Sequence, residues 1–89
     1  MSADQFIARA CEATGLSPAQ ITGLRKLRTH VRARWAILHA LEQAQVSHRR
    51  AARDLRIDRT TAIHGIRKAA ELRASDPDFA ALCAAVEGR

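Results

Sequence analysis

A chain of 89 residues reads as one small domain; such a length buries about 60–65% of its unfolded surface, one core's worth, and leaves little room for a deep catalytic cleft. Alanine, leucine and arginine dominate and only three aromatics occur, Phe6, Trp35 and Phe79, so an all-α fold is expected. The net charge is +6 and uneven: residues 25–73 hold thirteen of the fifteen Lys and Arg but four of the nine Asp and Glu, a net of +9 against −3 for the rest. A basic segment on a small helical domain is the footprint of nucleic-acid binding, with a merely solvated arginine-rich surface as the other reading. No apolar run is long enough for a signal peptide or a membrane span, and a cytoplasmic, nucleoid-associated protein is expected.

Ser2-Ala3-Asp4-Gln5 reads as a capping box. Phe6, Ile7, Ala10 and Cys11 then mark one helical face, and Gly15 is a C-terminal stop. Ser17-Pro18-Ala19-Gln20 repeats the start signal with proline at the first helical position, for a short helix ending near Gly23 or Leu24. Residues 25–30 form a basic connector. A long helix runs from about His30 to Ala44, with Val31, Trp35, Leu38 and Leu41 as its core stripe and Arg32 and Arg34 off it. Trp35 could stack on a base, but its spacing assigns it to the core. Ser47 caps the next helix, which turns Ala51, Ala52 and Leu55 inward and leaves His48, Arg49, Arg50, Arg53 and Arg56 mostly outward. Asp58 opens a basic helix to about Arg73. Ala62, Ile63, Ile66 and Ala70 form its apolar stripe, and Thr60, His64, Arg67 and Glu71 its polar face. Asp76-Pro77 starts a last helix, about 77–87, with Phe79, Leu82, Cys83 and Val86 inward. The whole is a bundle of about six helices.

Residues 47–73 read as a helix-turn-helix, with a small residue at Ala51 or Ala52 permitting close approach and Leu55, Ile57, Ile63 and Ile66 supplying the shared core. Its second helix would enter the major groove N-terminus first. Arg59 could fork onto guanine, Asp58 accept from cytosine N4, and a threonine methyl of Thr60 or Thr61 touch thymine. Phosphate contacts are assigned to Arg25, Lys26, Arg32, Arg34, His48, Arg49, Arg50, His64, Arg67 and Lys68.

With these residues in place, the chain resembles the C-terminal DNA-binding domain, domain IV, of the bacterial replication initiator DnaA, over about residues 4–73. That family has a basic loop, a long helix and a helix-turn-helix whose second helix opens Asp-His-Thr-Thr and continues through a His and an Arg-Lys pair. Here Asp58-Arg59-Thr60-Thr61, His64 and Arg67-Lys68 stand in that order. The resemblance implies base reading by residues 58–61 and minor-groove entry by Arg28, with Lys26 or Thr29 as neighbours that could take that position. It departs at Arg59, where the family has histidine; at the turn, which lacks its Gly-Gly-Arg; and at Ala33-Arg34-Trp35-Ala36, where the family has Arg-Pro-Arg-Gln. Small regulators with such domains include activators of phage-derived gene-transfer-agent clusters, so a transcriptional regulator of duplex DNA is expected. The alternatives are a replication-initiation regulator competing at DnaA-type sites, or an adaptor that docks on RNA polymerase or an initiator through the acidic last helix.

No P-loop, nucleophile spacing or carboxylate pair points to an enzyme or a small-molecule substrate. Cys11 and Cys83 do not form a metal pair and read as small buried hydrophobes. No cofactor, metal or membrane is expected.

Overall fold

The computed structural model describes residues 3–23 and 27–88, which form six helices and no strand. They are α1 (Ala3–Thr14), α2 (Pro18–Ile21), α3 (Arg28–Gln43), α4 (His48–Asp54), α5 (Arg59–Ser75) and α6 (Pro77–Glu87). The Ser2 cap and the phosphate contacts assigned to Arg25 and Lys26 lie outside the described residues. The long helix starts earlier than its stripe indicates, so Arg28 and Thr29 belong to α3 and not to the connector.

Local chemistry accounts for most boundaries. The Ser17 hydroxyl accepts the Gln20 N–H at 3.3 Å while the Gln20 side chain accepts the Ser17 N–H at 2.8 Å, a reciprocal cap on the single turn of α2. Ser47, Asp58 and Asp76 each accept backbone N–H groups at the starts of α4, α5 and α6, satisfying donors with no intrahelical partner. Helices α3 and α4 end alike. Val46 N–H reaches the Leu41 carbonyl and Ile57 N–H the Ala52 carbonyl, each at 3.0 Å. The preceding residues, Gln45 (φ 62°) and Arg56 (φ 57°), take the left-handed conformation. These are Schellman ends without the glycine that usually relieves the Cβ clash, a strain of about 1–2 kcal/mol for an ordinary residue. The turn therefore keeps the geometry a glycine would favour and places a cation there instead.

Helix α3 is the hub, with α1, α2, α4, α5 and α6 all packed on it. Ala33, Ala36, Ile37, Leu38, Ala40 and Leu41 are all buried. A one-sided stripe is the wrong description for a helix wrapped on several sides. Val31 and Trp35, expected in the core, are half-buried, whereas Arg34, expected on the surface, is buried. The Arg34 Nε–H donates to the Ile21 carbonyl at 2.8 Å, so its charge caps the end of α2. Burial pulls its guanidinium below the ordinary arginine range. His30 and His39 are buried on the same helix.

The inward face of α5 is also rotated from the expected one. Ala62, Gly65 and Ala69 are buried, Ile63 and Ile66 are half-buried, and Ala70 is exposed. The reason is close approach: a Cβ on Gly65 would stand 2.6 Å from Leu38 Cδ1 and 2.8 Å from Trp35 Cδ1. Small residues let the backbone of α5 lie against α3, and the bulkier isoleucines flank that seam. From α6, Phe79, Cys83 and Val86 are fully buried. They complete a core shared with Ala3, Phe6 and Ala10 of α1.

Candidate nucleic-acid interface

The expected base-reading quartet divides into two pairs. Asp58 Oδ1 accepts the Thr61 N–H at 2.6 Å. The Thr61 side chain also bonds the carboxylate, and these two bonds hold the Asp58 carboxyl below its usual range. Asp58 and Thr61 thus close the first turn of α5, with Thr61 only half-exposed. Arg59 and Thr60 are exposed and have no hydrogen bond or ion pair among the described residues. The residues free to meet a partner at this end are these two.

Arg59 borders an open groove of about 540 Å³ whose other walls include Glu42 from the end of α3 and Ser47, His48 and Arg49 from the start of α4. The end of α3, the α3–α4 turn with the start of α4, and the start of α5 meet there. Leu55, at the end of α4, is tied to a distant part of the chain. Gly23 N–H, immediately before residues 24–26, donates to the Leu55 carbonyl at 2.8 Å.

The cations fall into two groups. Arg32 donates to Asp76 at 2.9 Å and lies 5.4 Å over the Phe79 ring. Arg73 is paired with Glu87 on α6, Arg9 reaches the Val86 carbonyl at 3.4 Å, and Arg34 is buried. These four hold helices together. Arg28, Arg49, Arg53, Arg56, Arg59 and Arg67 are exposed, and their side chains make no hydrogen bond or ion pair among the described residues. Arg50 and Lys68 have only loose partners, Asp54 at 3.9 Å and Glu71 at 3.5 Å, of the exposed kind that contributes little.

Two assigned phosphate contacts are therefore corrected. Arg34 cannot reach a ligand without leaving the core. Arg32 is held at the far end of α5, roughly 25 Å along the 17-residue helix from its start, because Asp76 caps α6 and fixes the guanidinium as it does so. Arg53 and Arg56, expected to face mostly outward, are exposed. Arg56 stands at the left-handed turn residue, a conformation that no sequence signal marks.

His64 is exposed and meets Trp35 edge to face, with ring centroids 6.3 Å apart. Trp35 also lines a second groove, about 350 Å³, with Arg28, Val31 and Leu72. Arg28 thus sits beside the later part of α5, roughly 20 Å along the helix from Arg59. His48 and Glu42 are joined at 2.9 Å.

Among the described residues, no group of three or more His, Cys, Asp or Glu could hold a metal, and no helix is long and apolar enough to cross a membrane. Both cysteines are free. Cys83 is buried, its thiol pushed up to about 11 chiefly by burial, whereas Cys11 is only half-buried, short of the full burial expected. Phe79 and Val86 are fully buried and Leu82 packs against the core, so the apolar face of α6 is a lid, while Asp78 is exposed on its outer side. No family model, no curated protein and no solved structure matches this chain.

Proposed function

We propose that this chain is a sequence-specific duplex-DNA-binding protein that acts as a transcriptional regulator. In this reading α4 and α5 form a helix-turn-helix, and Arg59 and Thr60 at the start of α5 read bases in the major groove. Arg49, Arg50, Arg53, Arg56, Arg67 and Lys68 supply phosphate contacts, which position the protein without reading sequence. His48 and His64 flank them. The observation that carries the proposal is the sorting of cations: those away from α4 and α5 are largely used up in holding helices, while those on α4, the turn and the outer face of α5 are exposed and unpaired or loosely paired. Folding does not need these charges, and a polyanion does.

The position of Arg28 supports the same reading. Its side chain is exposed on α3 and unpaired among the described residues, as a minor-groove or backbone contact requires. The resemblance to DnaA domain IV suggests the same pair of elements. Acting by occupancy on chromosomal DNA, such a protein would reside on the nucleoid.

Duplexes selected from a randomised pool by the wild-type protein supply the test. Neutralising about six phosphates gives log K a slope near −5 against log salt. Arg59→Ala is expected to relax base preference at one or two positions, while Arg49→Ala weakens selected and scrambled duplexes alike and lowers the slope by about one. Equal binding of selected and scrambled duplexes by the wild type would refute the proposal.

A further inference from the structure

Glu42 is the one carboxylate bordering the groove beside Arg59. A negative charge there should repel phosphates, yet its Oε2 is only 2.9 Å from His48 Nε2. Stability does not explain the pair. The two side chains are 41% and 36% exposed, and solvated pairs of this kind add little to folding. What the contact does is fix the ring. A carboxylate accepts the Nε2 proton, which sets the tautomer and the orientation of the imidazole. Nδ1 is left without a hydrogen bond among the described residues, on a ring that borders the groove.

We propose that Glu42 is a positioning residue for DNA binding: it holds His48 so that a backbone phosphate seats between His48 Nδ1, Arg49 and Arg59. The inference rests on the DNA-binding reading above. To donate to a phosphate oxygen, Nδ1 must carry a proton while Nε2–H remains on Glu42, so the bound ring is the imidazolium. A neutral ring takes up one proton from solvent on binding, and Glu42 balances the charge. The groups facing His48 are Glu42 from α3, Arg49 on its own helix and Arg59 from α5. The carboxylate therefore does more for DNA affinity by orienting a donor than it costs by repulsion.

The sign of one substitution separates the two effects. A fluorescein-labelled duplex, selected by the wild-type protein from a randomised pool, is titrated with wild type, Glu42→Ala, Glu42→Gln, His48→Ala and the Glu42→Ala/His48→Ala double variant. The titrations run at fixed salt across the histidine range, about pH 5 to 8. Losing an oriented hydrogen bond should weaken Glu42→Ala by roughly three- to tenfold. Glu42→Gln, whose amide oxygen still accepts from Nε2–H, should recover part of that loss. Once His48 is alanine, removing Glu42 should cause no further weakening. Wild-type affinity should rise on acidification, and that rise should disappear in His48→Ala but persist in His64→Ala. Unchanged or tighter binding by Glu42→Ala overturns the proposal, because the carboxylate then only repels DNA; so does equal weakening by Glu42→Ala with and without His48. In either case a loss of base preference in Arg59→Ala leaves the DNA-binding reading standing. A wild-type protein without preference for its selected duplex defeats both.

Discussion

Replacing Gly65 by alanine sets two effects of opposite sign against each other. In an isolated helix the change is favourable by about 1 kcal/mol, because alanine loses less backbone entropy and shields the helix better. In this fold the new methyl would stand 2.6 Å from Leu38 Cδ1, 2.8 Å from Trp35 Cδ1 and 3.1 Å from Trp35 Nε1. Leu38 is 1% exposed, inside the packed core; Trp35 is half-buried and in edge contact with His64. Forcing a methylene-sized group into a packed seam costs about 1–3 kcal/mol. The net expectation is a loss of about 1 kcal/mol, or a fall in Tm of about 4–8 °C for a domain of this size. Urea and thermal denaturation followed by far-UV circular dichroism measure it, with Trp35 fluorescence reporting on the seam itself. In a Leu38→Ala background the penalty should shrink or reverse, since the cavity left by leucine receives the methyl. A Gly65→Ala protein more stable than wild type by about 1 kcal/mol would show that α3 and α5 are not in close contact and would refute the packing argument.

Two further outcomes follow from the burial pattern. Removing residues 77–89 strips fully buried Phe79 and Val86 from the core, about 3–6 kcal/mol of apolar burial in a domain whose total stability is on the order of 4–13 kcal/mol; the urea midpoint of the 1–76 fragment should fall by a large fraction, and a fragment as stable as the full chain would contradict the lid assignment. Burial first, and the Arg73 charge second, hold the His39 imidazole below its ordinary value of 6.5, against the opposing charges of Glu87 and Glu42. The unfolded chain then binds the extra proton first, so His39's contribution to stability is complete above about 6.5 and falls as the pH drops towards the folded value. His39→Gln should flatten the urea midpoint over that window. The carboxyls of Asp58 and Asp76, lowered from 3.8 by their hydrogen bonds, act only at more acid pH.

The elements of this fold were legible because their signals are local. A serine or aspartate that accepts a backbone N–H, a proline at the first helical position and an apolar face every three or four residues act within a single turn. Ser17, Ser47, Asp58 and Asp76 therefore mark helix starts whatever surrounds them. The two left-handed residues, Gln45 and Arg56, were not legible, since neither residue type favours that conformation. The apolar residues following them, Val46 and Ile57, pack inward and hold the turn closed.

What the sequence determined by itself is an all-helical chain with its positive charge gathered in residues 25–73 and a polar Asp58-Arg59-Thr60-Thr61 opening one helix. Only tertiary structure decided which charges remain available. Arg32 and Arg34 are two residues apart on one helix with the same side chain. One is locked on Asp76 and Phe79, the other on the Ile21 carbonyl, because α6 and α2 arrive from distant parts of the chain and cover them. Arg49, Arg53 and Arg59 meet no such neighbour. The same contacts turned Glu42, unremarkable in sequence, into the partner of His48. A periodicity argument sees one helix at a time, and the availability of a charge is set by what packs beside it.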